Sequence, residues 1–592
     1  MVRIMWNTKI LIISAVSIAS ELVINLPGLG SLTGVSRNGA DQFYGVPYAK
    51  IAKKFEHSTF PPEPWINRDA RSKQSVNYPI CIQPNPGNYN ENTGEYSAIA
   101  NKEQSEDCLY LQIATPTKRD NNTLLPVLLF FHGGGFQTGS NIASPNDASY
   151  FAAKTNTIVI FANYRLNVFG FLAAEADYNG YTSFGNFGLV DQENAMRFVF
   201  ENVKYFGGDN NRITIGGDSA GGESVRYQTL RENSLVQNYY SKAVMISNPI
   251  GLGTLTKQEA KILKSEVIKN AGCDSIECLK TKSSSEIVKA AQATLPAGIG
   301  TGNMINAVGN HLNITAWVQK FGPVIDHTIV FSSMMPEKET FKKPILVGVT
   351  SDEAASQAIE IFGENIYNTA VKIWFNNPDQ STLQNKQKKD KILAAFPWTS
   401  DCSRFYNNVP GDCNGFDAMI RLVTDYVWTC PLRKAVADMN TLSEKAFFYN
   451  FREPEIWSDP ANAGKNRCEE VACHEVDLRY VFDKIAQNQN EDSSKTYSEW
   501  RIYLTRLMQN YYANFIRTGD PNSYDGWVET EFSNDMMELP SWGTASRGGS
   551  WGYLEIPNRT KYGKGEVKFV VNPKEYNDRC SLLDSIDEYT EH

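Results

Sequence analysis

The chain has 592 residues, of which 42% are hydrophobic and 21% are charged, and its formal net charge is −9. This composition suits a protein with a large buried core and excludes a disordered or collagen-like chain. The acidic balance argues against nucleic acid as the main partner, because phosphate binding needs a basic face.

The first 19 residues have the pattern of a secretory signal peptide. Arg3 and Lys9 precede an almost uncharged run, and small residues near its end suit cleavage after Ala19 or Ser20. A buried strand is the alternative, but it would leave the cationic start unexplained. No later run approaches the ~18 apolar residues of a membrane span, and the C-terminus is too polar for an anchor signal. We therefore expect an exported, soluble protein without a stable membrane anchor.

The length alone would allow about three or four domains. The sequence contains no internal repeat and no linker long or polar enough to divide the chain. We therefore predict a single domain over residues 20–592.

The ten cysteines, behind an export signal, are better interpreted as disulfide partners than as metal ligands. Cys273 and Cys278 can close a short loop and Cys81 and Cys108 a longer one, while no C-x-x-C pair is present to start a zinc site. In an exported protein, three N-glycosylation sequons could carry glycans; they begin at Asn121, Asn313 and Asn558.

Short apolar runs alternate with helical patterns along the chain. The runs are continuously apolar and rich in Val, Ile and Phe, as in strands that helices cover on both faces. They lie at 124–131, 157–161, 212–215, 243–246, 344–349 and 446–451. Helical spacing is found at 192–205, 257–270 and 498–518. This alternation predicts an α/β fold with a mainly parallel or mixed central sheet.

A glycine-rich loop, His132-Gly133-Gly134-Gly135-Phe136, follows the predicted strand at 124–131. Such a loop is typical of the oxyanion hole of esterases. Glycines leave backbone N–H groups unobstructed, so those of Gly134 and Gly135, with that of Ala220, could converge on one oxygen atom. A structural turn between two strands is the alternative.

A G-x-S-x-G motif centred on Ser219 lies between the predicted strand at 212–215 and a stretch compatible with a helix. This is the context of a nucleophilic serine on a sharp strand-to-helix turn. Side chains at Gly217 or Gly221 would collide with neighbouring backbone, and the helix N-terminus favours negative charge that develops during attack. An ordinary glycine-rich turn is the alternative.

Two carboxylates compete for the role of orienting acid. Asp352 and Glu353 follow the predicted strand at 344–349, at whose carboxyl end such sites assemble. Spacing alone does not choose between them, and a solvated loop acid is the alternative for either.

The general base should follow both the serine and the acid in α/β-hydrolase chain order. Of the six histidines, His132 belongs to the oxyanion loop and His592 is terminal, while His311 adjoins a sequon and His327 precedes any plausible acid. His474 is the best candidate, because a small disulfide in the preceding Cys-x4-Cys segment could hold its loop.

The chain resembles the type-B carboxylesterases, a family that includes cholinesterases and fungal lipases, over nearly its whole mature length. The matching segments are FYGVPYA at 43–49, SEDCLYL at 105–111, NYR at 163–165, GLVDQ at 188–192, FGGD at 206–209, FGPVID at 321–326, GVTSDE at 348–353 and TGDPN at 518–522. The resemblance implies the α/β-hydrolase fold, with a large mixed, mostly parallel sheet covered by helices on both faces.

The resemblance also implies individual roles. Ser219 would be the nucleophile, Glu353 rather than Asp352 the acid, and His474 the general base. The implied disulfides are Cys81 with Cys108, Cys273 with Cys278 and Cys430 with Cys580, which by elimination leaves Cys402 with Cys413 and Cys468 with Cys473. No metal or organic cofactor is needed.

Two positions depart from the family pattern. Ala354 replaces the usual glycine after the acid. Ala98 stands where cholinesterases carry a tryptophan that stacks on choline, which removes a cation–π contribution of about 0.5–2 kcal/mol, although Tyr96 is close. We therefore expect a general carboxylesterase rather than a cholinesterase.

The expected reaction is two-step acyl transfer from a small-molecule ester, with His474 neutral near pH 7. The alternatives are a non-catalytic adhesion or storage protein, a cholinesterase, or a lipase whose lid would be the loop between Cys81 and Cys108.

Overall fold

A computed structural model describes most of the chain. The described residues are 22–71, 78–84, 102–120, 122–142, 147–231, 235–294, 319–332, 343–356, 390–396, 415–443, 446–454, 468, 471–491, 497–523, 546–547, 550–557, 568–571 and 574–586. Several predictions fall outside these ranges: the signal peptide, the sequon asparagines 121, 313 and 558, the Cys402–Cys413 pair, His311, positions 96 and 98, and most of the loop between Cys81 and Cys108.

A twelve-stranded mixed sheet forms the centre of the fold. In order across the sheet, its strands are β17 (Ser546–Arg547), β18 (Ser550–Ile556), β16 (Ala446–Phe451), β15 (Ile345–Thr350), β14 (Lys242–Ile246), β13 (Gly208–Asp218), β9 (Leu125–Phe131), β10 (Ile158–Ala162), β8 (Tyr110–Pro116), β4 (Ala40–Pro47) and β3 (Val35–Arg37), with β19 (Lys568–Val571) paired to β18. The neighbours from β18 to β10 run parallel, and the outer pairs are antiparallel.

All six strands predicted from apolar runs lie side by side in this parallel block, as β9, β10 and β13 to β16. Every residue of β9, β10, β14, β15 and β16 is buried, which is the reason that their sequences are continuously apolar rather than alternating. The predicted α/β-hydrolase fold is confirmed.

The remaining strands form three small sheets. They are β1 (Val23–Leu26), β2 (Gly30–Thr33) and β5 (Asn67–Asp69) in one, β6 (Ile80–Cys81) and β7 (Gln104–Ser105) in another, and the hairpin of β11 (Glu175–Tyr178) and β12 (Tyr181–Phe184).

The described α-helices are α1 (Ser149–Thr155), α2 (Asn167–Phe171), α3 (Phe187–Asn202), α4 (Ala220–Thr229), α5 (Lys257–Asn270), α6 (Ile276–Thr281), α7 (Ser284–Ala293), α8 (Gly415–Thr424), α9 (Cys430–Ser443), α10 (Val476–Val481), α11 (Lys484–Glu491), α12 (Glu499–Thr518) and α13 (Lys574–Ile586). A π-helical turn, Asp425–Thr429, joins α8 to α9.

The predicted helices at 257–270 and 498–518 are α5 and α12. The Thr256–Glu259 capping box starts α5, and Gly519 ends α12 at φ 82°, where its N–H donates to the Phe515 carbonyl at 2.7 Å. The third helix, α3, begins five residues before the predicted start at 192. Its first turn is buried on all sides and therefore shows no helical periodicity.

Helices cover both faces of the sheet. Along β9, Val127 and Leu129 join one apolar core with Met196 of α3, whereas Leu128 joins a second core with Leu507 of α12. The helices therefore bury the two side-chain sets that alternate along each central strand.

Four disulfides are present among the described residues. They join Cys81 to Cys108, Cys273 to Cys278, Cys430 to Cys580 and Cys468 to Cys473, in the pairing that the resemblance and elimination imply. Within the described ranges, no helix is both long enough and apolar enough to cross a bilayer.

Candidate active site

Ser219 lies on the turn between β13 and α4, at the carboxyl edge of the parallel strands. Its backbone has φ 52° and ψ −122°, a conformation that costs an L-residue on the order of 1–3 kcal/mol. Two hydrogen bonds hold the turn: the Ser219 N–H donates to the Ile246 carbonyl at 2.8 Å, and its carbonyl accepts from the Glu223 N–H at 2.9 Å. The strained turn that the motif predicts is therefore present.

The glycines of the motif are required by contacts with backbone atoms. A Cβ on Gly221 would lie 2.0 Å from the Phe131 carbonyl oxygen, and a Cβ on Gly217 would lie 2.3 Å from the Gly221 carbonyl carbon. The first contact packs the start of α4 against the end of β9, which leads into the glycine-rich loop. The spacing of the motif thus reflects close approach between the serine turn and this loop.

Replacing Gly221 by alanine is expected to destabilise the fold by about 3 kcal/mol or more, because the new Cβ meets immobile backbone. Thermal unfolding of the purified variant measures the loss. Gly180→Ala is the control: no atom lies within 4 Å of its new Cβ, so its loss comes only from a left-handed φ of +85°, a strain that Gly221 does not have. A loss for Gly221→Ala no larger than that of the control would contradict this account.

The glycine-rich loop carries free amides beside the serine. Gly134 and Gly135 have φ values of 109° and 59°. Within the described part of the chain, neither N–H donates to another protein group. Ala220 is the first residue of α4, so its N–H has no partner inside the helix. A Cβ on Gly133 would lie only 3.0 Å from the Ser219 Cβ, which brings the loop against the nucleophile.

His474 and Glu353 form a buried hydrogen-bonded pair. His474 Nδ1 lies 2.5 Å from Glu353 Oε2, and Glu353 Oε1 accepts the Thr350 N–H at 2.8 Å. Asp352, the competing acid, instead lies 3.4 Å from the Arg421 guanidinium and accepts from the Ser351 hydroxyl. The structure therefore brings Glu353, and not Asp352, against His474.

The His474 loop is fixed at several points. The Cys468–Cys473 disulfide closes it immediately before the histidine, and the Asp352 N–H donates to the Ala472 carbonyl at 3.0 Å. The Trp428 ring of the π-helical turn lies 5.5 Å from the imidazole, and its indole N–H donates to the Ser247 carbonyl at 2.9 Å. A local π-helical turn in this position is typical of functional sites.

The side chain of Glu475 connects the imidazole to the serine turn. Its Oε1 lies 3.5 Å from His474 Nε2 and 2.7 Å from the position that a Cβ on Gly133 would take. The Asp218 Oδ2 and the Ser219 Cβ border the same position, at 2.4 and 3.0 Å. Residues far apart in the chain thus meet around Gly133.

Carboxylates dominate the electrostatics of the imidazole. Burial alone would lower the pKa of His474, but Glu353, Glu475 and Asp477 together raise this pKa to about 9. These carboxylates favour the protonated imidazole, and the spacing of residues in the sequence gives no sign of this effect because it comes from groups that are close only in space. Burial raises the pKa of Asp477 to about 7, and burial and Glu475 raise the pKa of Asp218 well above its usual range.

The other described histidines have structural surroundings. His132 is buried against the Tyr164 ring, and burial lowers its pKa to about 4. His57 is half-buried with its Nε2 at 2.6 Å from the Ser183 hydroxyl, and desolvation of the ring lowers its pKa to about 3. His327 is exposed in a turn. Among the histidines that the structure describes, only His474 is hydrogen-bonded to a carboxylate.

Three residues of the site were missed by the sequence reasoning. Asp218 and Glu475 each adjoin a predicted site residue, so a charge beside the nucleophile or the base was the available signal. Trp428 had none, because it lies in an apolar stretch more than 40 residues from His474 in the chain and meets it only through the fold.

Known proteins resemble this chain over most of its length. It is 28% identical to the pyrethroid hydrolase Ces2a of Mus musculus, over 85% of this chain and 84% of that protein. It is also 28% identical to the cocaine esterase of Homo sapiens, over 83% of this chain and 82% of that protein. It is likewise 28% identical to neuroligin-2 of Mus musculus, over 81% of this chain and 58% of that protein. Among solved structures, a thermophilic pNB esterase matches with a TM-score of 0.69 and 22% identity, covering 95% of this chain and all of that one.

The family assignment follows from these findings. The model of the carboxylesterase family matches residues 20–570, which covers the serine turn, the glycine-rich loop and the His474–Glu353 pair. The chain belongs to the carboxylesterase family.

Proposed function

We propose that this protein is a secreted or lumenal serine hydrolase that cleaves small-molecule carboxylic esters through Ser219, His474 and Glu353. The observation that carries the proposal is the buried His474–Glu353 hydrogen bond beside the strained Ser219 turn. A nucleophile, a base and an orienting acid are the three groups that acyl transfer by a serine requires.

In the first step, the Ser219 oxygen attacks the ester carbonyl carbon while neutral His474 takes the hydroxyl proton on Nε2. The carbonyl π electrons move to its oxygen, where the amides of Gly134, Gly135 and Ala220 stabilise the negative charge. Glu353 accepts the Nδ1–H hydrogen bond and so keeps the lone pair on Nε2. The intermediate then collapses, the bond to the alcohol oxygen breaks, and Nε2 returns the proton to that oxygen.

In the second step, water replaces the alcohol. His474 Nε2 takes a proton from water as its oxygen attacks the acyl carbon, and the same nitrogen then protonates Ser219 as the acid leaves. Every proton and electron pair is accounted for by the ester, water and these side chains.

The four disulfides support a location in an oxidising compartment, which is the proposed extracellular or lumenal site. A general esterase remains our preference over a cholinesterase, on the sequence at position 98.

A non-catalytic role in adhesion or storage is the second candidate, which the resemblance left open; neuroligin-2 is among the relatives. The presence of a serine, an imidazole and a carboxylate at the three positions favours the hydrolase.

Labelling with a fluorophosphonate probe separates the two candidates. We expect the purified protein to react at a single serine, mapped to Ser219 by mass spectrometry of the tryptic peptide, and to hydrolyse p-nitrophenyl acyl esters at alkaline pH. A folded protein that neither takes the label nor releases nitrophenol at pH 9 to 10 would establish the non-catalytic role.

A further inference from the structure

Glu475 has a backbone conformation that its side chain disfavours. Its φ is 65°, in the left-handed region where glycine is free of strain and a glutamate is not. Strained residues persist where the surroundings over-determine them, and they cluster at functional sites. A glycine would suit this backbone better, so the carboxylate itself needs an explanation.

The carboxylate of Glu475 faces the nitrogen of His474 that has to exchange a proton with the serine. Oε1 is 3.5 Å from Nε2, the buried ring nitrogen without a hydrogen-bond partner, while Nδ1 is already bonded to Glu353. The Glu475 side chain is 27% exposed, so solvent and small molecules reach it. A negative charge thus lies on the open side of the imidazole.

Asp218 holds this carboxylate in place. Burial first, and then the charge of Glu475 and a hydrogen bond with it, raise the pKa of Asp218 well above its usual range, which favours a protonated Asp218 carboxyl that donates to Glu475. Both acids border Gly133, where a Cβ would lie 2.4 Å from Asp218 Oδ2 and 2.7 Å from Glu475 Oε1. The absence of a side chain at Gly133 is what leaves room for the pair.

We propose that Glu475 is a positioning residue for His474: its carboxylate stabilises the protonated imidazole through Nε2 and thereby makes this enzyme an esterase of alkaline pH. The proposal rests on the proposed function, in which Nε2 must accept the Ser219 proton.

Several elements pack around the His474 imidazole, and most of them place an acidic side chain near it. Glu353 contacts Nδ1 from the end of β15, Glu475 faces Nε2, and Asp477 of α10 adds a third acid whose carboxyl accepts from the Tyr449 hydroxyl. Asp218 closes the group from the end of β13, and the remaining neighbour, Trp428, is neutral. With these carboxylates the pKa of His474 is about 9.

The carboxylate has opposite effects at the two ends of the pH range. Below the pKa of His474, it favours the imidazolium, which cannot accept the serine proton, and activity falls about tenfold for each pH unit. Above that pKa, it stabilises the imidazolium that forms during attack and so assists the reaction. A residue with a merely structural role would change activity by the same factor at every pH.

The test compares pH profiles of kcat/KM for a p-nitrophenyl ester in three variants. Glu475→Gln keeps the shape without the charge, Glu475→Gly also relieves the backbone, and Glu175→Gln removes an exposed charge in the β11–β12 hairpin as a matched control. Removing the Glu475 charge, which lies 3.5 Å from His474 Nε2, should shift the acidic side of the kcat/KM profile to lower pH by about one unit. Both Glu475 variants should therefore gain about tenfold at pH 7 and lose activity above pH 10, while the control follows the wild type.

A second readout does not depend on turnover. The chain has six histidines, so NMR of histidine labelled with 13C at Cε1 can follow the His474 ring, assigned through the His474→Gln variant. We expect a lower titration midpoint for His474 in both Glu475 variants, whether or not the protein hydrolyses esters. A drop of about half a unit or more supports the proposal, and any smaller change overturns it. If the wild type hydrolyses no ester but the His474 titration midpoint still drops in the Glu475 variants, only the proposed function is rejected.

Discussion

Replacing Ser219 by alanine is expected to lower kcat for a p-nitrophenyl ester by a factor of about 10⁴ to 10⁶ and to abolish fluorophosphonate labelling. In the proposed mechanism the Ser219 hydroxyl oxygen bonds to the acyl carbon, so the substitution removes the nucleophile. The free amides and the binding pocket would retain a small residual rate over water. The assay should be run at pH 9 to 10, because the pKa of His474 is about 9 and the base has to be neutral.

Ser265→Ala is the matched control for this variant. The Ser265 hydroxyl is exposed on α5 and donates to the Lys261 carbonyl at 2.9 Å, so its loss should leave both rate and labelling unchanged. Circular dichroism of the Ser219→Ala protein checks that the turn still folds. Wild-type turnover in a folded Ser219→Ala enzyme would show that the nucleophile lies elsewhere.

Replacing Glu353 by glutamine is expected to lower kcat about 10⁴-fold through the wrong tautomer of His474. The Thr350 N–H now donates to Glu353 Oε1 at 2.8 Å, so a glutamine would keep its amide oxygen there. Its NH2 group would then face His474 Nδ1 at the position of Oε2, and Nδ1 would have to accept. The ring proton would move to Nε2, which removes the lone pair that takes the Ser219 proton.

This loss should not recover at high pH, because it comes from the tautomer and not from the protonation of the ring. Asp352→Asn is the control, since spacing alone made Asp352 an equal candidate. It contacts Arg421 rather than His474, so we expect reduced thermal stability and a change in kcat of less than about tenfold. A larger loss of kcat in Asp352→Asn than in Glu353→Gln would assign the acid to Asp352.

The parallel core of the fold could be predicted because its physical cause is local in the sequence. Strands β9, β10 and β14 to β16 are buried on both faces, as is the second half of β13, and this burial requires runs of apolar residues that are visible without a structure. The glycines at 217 and 221 were likewise predictable, since a Cβ at either position would lie only 2.0 to 2.3 Å from backbone atoms, which excludes every other residue type. The start of α3 was not, because complete burial removes helical periodicity.

The sequence by itself determined which chemical groups are present: a serine on a strained turn, a glycine-rich loop before it, and one histidine in a loop that a disulfide closes. The family resemblance also favoured Glu353 over Asp352 as the acid. Only the tertiary structure decided what the other carboxylates contact, with Asp352 on Arg421 and Glu475 beside Nε2. The reason is that the strength of an interaction between charges depends on distance and burial in space. Positions 218, 353 and 474 are separated by more than a hundred residues in the chain, and only the edge of the sheet brings their surroundings together.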